Sequence, residues 1–266
     1  DTDFNKTFAN AKNLFGKMDV KLKHLKSGTT GHAFKAESEN NSDICFVAKV
    51  CAYPKDEYGE MNNLSRPENV ELQIIKLLGN YVINKISPHF VLPICMFNTN
   101  IDQFINIKKN SKLRYDKVYS SFIQNYHDNK FEDQVSVLIL EWCNGGDLSD
   151  YIRINYKKMK LKTWTIIIFQ LLYTLAKIHQ KYPQFRHNDL KANNIMVHIT
   201  KKRDETQFRY DLDDSAFIIP DIQVQIKICD FDFASIDGVI ENNKVNSTWT
   251  NDMNICKEQN MYYDMH

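Results

Sequence analysis

Two short segments constrain this chain more than anything else in it. The first, Arg186 to Val197 (RHNDLKANNIMV), presents a carboxylate, an ammonium and a carboxamide at fixed offsets, on Asp189, Lys191 and Asn194. The second, Lys227-Ile228-Cys229-Asp230-Phe231-Asp232, sets another carboxylate, Asp230, at the end of an apolar, strand-like run. A base, a cation and two oxygen donors for a hard metal are the parts that move a phosphoryl group from a magnesium-bound nucleotide.

The chain is long enough to carry those parts. Its 266 residues can hold one large domain or two lobes with a real core. The formal charge of +1 gives no global field toward nucleic acid or an anionic membrane. The local basic run Lys108, Lys109, Lys112, Arg114 and Lys117 reads as a solvated loop face. Six cysteines, Cys45, Cys51, Cys95, Cys143, Cys229 and Cys256, show no C-x-x-C spacing, and several sit in apolar runs. That argues for a reducing compartment and against a disulfide framework or a zinc site. The longest apolar stretch, Trp164 to Leu175, is too short to span a bilayer, and no signal peptide is visible. A start at Asp1 reads as a processed or excised piece. Heavy use of Asn, Lys, Ile and Tyr hints at an AT-rich source genome.

Periodicity orders the chain. Residues 4–18 read as a polar helix or arm, and 22–36 and 44–52 as strands. A helix starts at Pro67 and, with Leu72, Ile75 and Leu78 at helical spacing, is expected to end at Gly79. Phe90 to Phe97 and Val135 to Trp142 are strands flanking a polar, partly helical insertion at 98–134. Asn144-Gly145-Gly146-Asp147 marks a boundary between 1–143 and 144–266. Helices at Leu148–Ile154 and Thr163–Tyr182 follow, then strands at Ile195–Ile199 and Ile222–Cys229 around a charged insertion at 200–221.

Taken in order, the motifs resemble those of the eukaryotic-type Ser/Thr protein kinases. Leu25 to Ala36 is similar to a glycine-rich phosphate loop, with Gly28 and Gly31 at its second and third glycines and Lys26 in place of the first. Val47-Ala48-Lys49 resembles the strand that carries the nucleotide lysine, whose partner the resemblance places at Glu71, with Glu68 as runner-up. Leu138 to Leu148 looks like a hinge. That likeness implies Leu140 at the back of an adenine pocket, backbone groups of Glu141 and Cys143 on the adenine edge, and Asp147 on the ribose. It further implies Asp189 as base, Lys191 as neutraliser of the transferring phosphoryl, and Asn194 and Asp230 as Mg²⁺ ligands. His187 and Phe231 read as core packing, and Cys229 as a buried, inert thiol.

The departures are informative. Asn188 stands where these kinases usually carry Arg, and Asp232 where they carry Gly, which adds a carboxylate near the metal. Such variants look most like the divergent kinases of large DNA viruses, including relatives of the poxvirus virion kinases. Tyr262-Tyr263-Asp264 resembles the start of the next large-lobe helix, with Asp264 as its buried aspartate, and there the likeness stops. The resemblance implies a two-lobed α+β fold, a β-rich small lobe (1–143) and a helical, truncated large lobe (144–266), with ATP and Mg²⁺ between them. It implies transfer to Ser or Thr of a protein, with no nucleic-acid partner and no membrane span, in a host cytoplasm or virion. A small-molecule kinase of the choline or aminoglycoside type, and a silent pseudokinase scaffold, are the alternatives. Lys191 argues against the first, and the filled positions Lys49, Glu71, Asp189, Lys191, Asn194 and Asp230 against the second.

Overall fold

The computed structural model describes residues 7–8, 20–28, 31–38, 40–41, 44–105, 116–201, 207–245 and 264. The chain forms two compact units, Asp1–Lys76 with Leu92–Trp142, and Leu77–Val91 with Cys143–His266.

The first unit is built on one six-stranded sheet. Its strands are β1 (Thr7–Phe8), β2 (Val20–Ser27), β3 (His32–Ser38), β4 (Cys45–Pro54), β5 (Pro93–Asn100) and β6 (Phe131–Glu141), in the order β1-β5-β6-β4-β3-β2. All neighbours are antiparallel except β1 and β5. Of the stretch 4–18, only Thr7–Phe8 lies within the described residues, and it is a strand. Period-two patterning sets the faces. His32, Phe34 and Ala36 of β3 and Phe46, Ala48 and Val50 of β4 are buried on one side, and Lys49 points to the other.

The segment 98–134 is more than an insertion. β5 runs through to Asn100 and β6 begins at Phe131. Between them lie two helices, α2 (Asp102–Ile105) and α3 (Lys117–His127), while 106–115 is outside the described residues. Asp116 caps α3 by accepting the Tyr119 N–H. Phe104, Tyr119 and Phe122 then close the core over β3, β4 and β6. Polar composition hid this, because the buried face is carried by a few apolar residues, Ile101 among them, scattered through a polar segment.

Helix α1 (Pro67–Ile83) starts where Pro67 predicts and runs past Gly79, the expected stop. Tyr81, buried against Phe90 at 5.7 Å, favours another turn. The helix is closed instead by Lys85 at φ 55, with Ile86 N–H donating to Tyr81 O.

The second unit contains α4 (Leu148–Asn155), α5 (Leu161–Lys181), β7 (Phe185–Arg186), a 3₁₀ turn (Ala192–Asn194), β8 (Ile195–Ile199), β9 (Gln207–Leu212), β10 (Ser215–Pro220), β11 (Val224–Ile228) and β12 (Ser235–Ile236). β8 pairs antiparallel with β11, and the charged insertion at 200–221 is the hairpin β9–β10. The core joins Leu148 and Ile167 to Ile195, Val197, Val224 and Ile226. At 21 residues, α5 is longer than the apolar stretch read from sequence, and is long and apolar enough to cross a membrane by length and composition. Here its buried Gln170 bonds the backbone of β11 at both ends, donating to Val224 O and accepting from Ile226 N.

His89 links that hairpin to the core. It is fully buried, Nδ1 lies 2.9 Å from Ile226 O, and its ring stacks on Tyr210 of β9. Burial, chiefly, pushes its pKa down to about 4 from the ordinary 6.5. The unfolded chain therefore takes up a proton near pH 6.5 that the folded chain refuses until about pH 4. Stability from this group is present above 6.5 and is lost as pH falls, at about 1.4 kcal/mol per pH unit. Urea titrations between pH 7 and 4.5 should show that slope added to the one from His32, whose pKa burial also lowers to about 4, and His89→Gln should reduce the total by about 1.4 kcal/mol per pH unit. An unchanged slope in the variant would remove His89 as the cause.

Candidate active site

In the first unit the turn between β2 and β3 carries Gly28 and Gly31, with Thr29 and Thr30 outside the described residues. Only Gly31 is sterically required. A Cβ there would stand 2.7 Å from Cys51 Sγ and 3.2 Å from Lys49 Cε, so a side chain would press on the lysine. A Cβ on Gly28 would meet nothing nearer than 3.6 Å. The Gly28 N–H donates to Gly31 O at 2.8 Å, so in this structure it closes the turn rather than facing outward as a phosphate donor.

Lys49 leaves β4 opposite the aromatic core and meets α1. Its Nζ lies 2.6 Å from Glu71 Oε1, with both side chains largely buried. Glu68, the other candidate, pairs with Arg66 at 3.2 Å instead. Arg66 is held by the carbonyls of Pro54, Glu57 and Gly59, which draws Glu68 toward the start of the helix. Leu140 is buried on β6, beside Val47 and Pro93 in register. The N–H of Glu141 donates to Leu92 O, and its carboxylate accepts from Leu92 N at 2.7 Å.

In the second unit Cys143 is buried, and Gly145 lies so close to β8 that a Cβ would meet Val197 O at 2.8 Å. Asp147 caps α4 by accepting the Asp150 N–H at 2.9 Å, a structural task beyond the ribose contact expected of it.

The loop 186–194 brings the opening motif together. Lys191 Nζ lies 2.8 Å from one Asp189 carboxylate oxygen and 2.9 Å from the other. Asn194 Nδ2 donates to both the backbone carbonyl and the carboxylate of Asp189, at 2.9 and 2.8 Å. Two donors thus fix the carboxylate in one orientation. Asp264 fixes the loop from below, its carboxylate accepting the N–H groups of His187 and Asn188 at 2.7 and 2.9 Å. It is half-buried, and Tyr262 and Tyr263 lie outside the described residues. Asn188 sits at φ 62, a conformation Asn tolerates better than most residues, and its amide donates to Phe233 O.

The pairing of β8 with β11 brings together the backbones that lead to Asn194 and Asp230. Cys229 N–H donates to Asn194 O at 3.0 Å, and its thiol, half-buried rather than buried, lies 3.3 Å from the same oxygen. That bond sets Asp230 beside Asn194. Asp230 is itself at φ 68. His187 and Phe231 are fully buried against each other, 5.1 Å between rings. The donor set suits Mg²⁺. Asn194 turns its N–H groups to Asp189, so its side-chain oxygen would be the atom offered to a metal, with the Asp230 carboxylate as the second. Mg²⁺ accepts few protein oxygens and keeps water and phosphate for the rest.

Asp232, expected to add charge near the metal, is engaged elsewhere. It forms a buried ion pair with Lys244 at 2.7 Å, the two side chains 8% and 5% exposed. Asn242 braces the same turn, donating to Asp232 O and Ala234 O. Neither residue carries a sequence signal.

A small mixed unit with a lysine–glutamate pair, and a second with an Asp-Lys-Asn loop beside a second Asp, define a protein kinase domain. The protein kinase domain model matches residues 98–251, and the chain belongs to that family. A protein of Acanthamoeba polyphaga mimivirus, named a putative serine/threonine-protein kinase, is 56% identical over all of this chain and 58% of its own length. A second mimivirus protein of the same description is 28% identical over 72% of this chain and 54% of its own length. Serine/threonine-protein kinase 4 homolog B of Dictyostelium discoideum is 23% identical over 53% of this chain and 14% of its own. The chain therefore spans little more than half of the two viral relatives.

Proposed function

We propose that this chain is the nucleotide-binding and catalytic part of a Ser/Thr protein kinase. Its two units would correspond to the two lobes, with Mg-ATP as the phosphoryl donor, in a reducing compartment such as a host cytoplasm or a virion. The observation that carries the reading is the Asp189–Lys191–Asn194 cluster, tied through Cys229 to Asp230. The names of the relatives support Ser or Thr of a protein as the acceptor class.

The residues divide the work. Lys49, held by Glu71, presents one ammonium to the nucleotide phosphates. Leu140, Glu141, Cys143 and Asp147 supply the adenine and ribose contacts. Asn194 and Asp230 hold Mg²⁺, which offsets phosphate charge when bound. Asp189 orients the acceptor hydroxyl and takes its proton, and Lys191 swings from Asp189 to the transferring group.

Calorimetry with Mg-ATP separates these roles. Asp230→Asn should weaken Mg²⁺-dependent nucleotide binding by about tenfold or more, and Asp189→Asn by little, since a metal ligand is lost only in the former. Equal losses would show the metal and acceptor roles to be wrongly divided. Transfer to small alcohols alone, with Ser/Thr proteins inert, would move the chain to the small-molecule kinases.

A further inference from the structure

The phosphate-loop turn is flanked by an unusual polar node. Ser27 directly precedes Gly28, and His32 directly follows Gly31. Ser27 Oγ lies 2.9 Å from His24 Nε2 and 2.9 Å from His32 Nδ1. It also bonds the carboxylate of Asp116, the N-cap of α3, which stands 3.7 Å from His24 Nε2. A carboxylate only accepts, so the Ser27 hydroxyl donates to Asp116. Its oxygen is then left to accept from both rings, which assigns N–H to Nε2 of His24 and Nδ1 of His32. Burial lowers the pKa of each, that of His32 to about 4.

Aromatic packing makes the node rigid. Tyr119 of α3 contacts both rings, at 5.4 and 5.2 Å, and Phe122 lies 4.4 Å from that of His32. Both strand ends that frame residues 28–31 are thus tied to the first turn of one helix. That helix comes from a segment distant in sequence.

We infer that Ser27, with His24, His32 and Asp116, makes helix α3 a positioning element for the phosphate loop, setting affinity for the phosphates of a bound nucleotide. Their role is positioning: they act through the strand ends that hold Gly28 and Gly31 rather than through chemistry of their own. The inference rests on the kinase reading, in which residues 28–31 cover the phosphates. Its physical basis is order. Strand ends held in one arrangement lose less conformational freedom when an anion binds beside them than loose ones do.

The test compares Mg-ATP with adenosine, which has no phosphates, by calorimetry on the 266-residue chain. Ser27→Ala should weaken Mg-ATP binding roughly tenfold, the scale of one lost buried hydrogen-bond node, and leave adenosine binding unchanged. Ser27→Thr keeps the hydroxyl and should restore most of the loss. Asp116→Asn keeps an acceptor for the α3 cap and should give a smaller loss of the same kind. Wild-type Mg-ATP affinity in Ser27→Ala, or equal loss of adenosine, would overturn the positioning role alone. A wild-type chain that binds neither ligand would overturn it together with the kinase reading.

Discussion

Asp189→Asn is expected to reduce phosphoryl transfer by about 10²–10⁴-fold while leaving Mg-ATP binding nearly intact. Asn keeps the shape of the side chain, and its amide oxygen can still accept from Asn194 Nδ2, which now lies 2.8 Å from Asp189. What goes is the negative charge that orients a hydroxyl and takes its proton. Asp264 holds the loop through the backbone of His187 and Asn188, so the fold does not depend on the Asp189 carboxylate. Activity should also need no prior phosphorylation. Where an arginine would meet a phosphate, Asn188 is buried and donates to Phe233 O, 3.5 Å from Ser235 Oγ. Ser247, Thr248 and Thr250 lie outside the described residues. Turnover by phosphatase-treated wild type and by the variant, on Ser/Thr protein acceptors, checks both statements. Wild-type turnover in Asp189→Asn would refute the assignment.

Lys244→Met should destabilise the second unit by about 3–5 kcal/mol, the usual result of stranding one charge of a buried pair. Asp232 is 8% exposed and has Lys244 at 2.7 Å, so the variant would leave a buried carboxylate without this ammonium. The same ammonium lies over the Phe233 ring at 3.6 Å, and that contact would be lost as well. Asp232→Gly combined with Lys244→Met removes both charges and should recover most of the loss. Chemical denaturation of the two variants and wild type gives the comparison. A single variant within about 0.5 kcal/mol of wild type would show the pair to be solvated in solution.

The kinase family was legible because its chemistry is local. Asp189, Lys191 and Asn194 fall within six residues, and a loop leading into a strand holds them together whatever surrounds it. The strand of Lys49 and the helix of Glu71 were legible from alternation and from Pro67, since patterning records which face is buried. Of the contacts between distant segments, the resemblance placed the Lys49–Glu71 pair, but what sets Glu68 aside was not legible. Whether Lys49 meets Glu71 or Glu68 depends on Arg66, which gathers three backbone carbonyls and holds Glu68 aside. Asp232 reads as a spare carboxylate until Lys244, twelve residues on, is folded against it.

The same holds for the segment 98–134. Its composition reads as a polar, partly helical insertion, but Phe104, Tyr119 and Phe122 make it the cover of a sheet face and Asp116 makes it the anchor of Ser27. By itself the sequence determined which groups are available and which face of each strand or helix is apolar, because these follow from residue type and backbone period. Tertiary structure alone decided which charges meet, which helix ends past its glycine, and which polar segment becomes core. Those outcomes turn on burial and pairing between residues that the sequence holds apart.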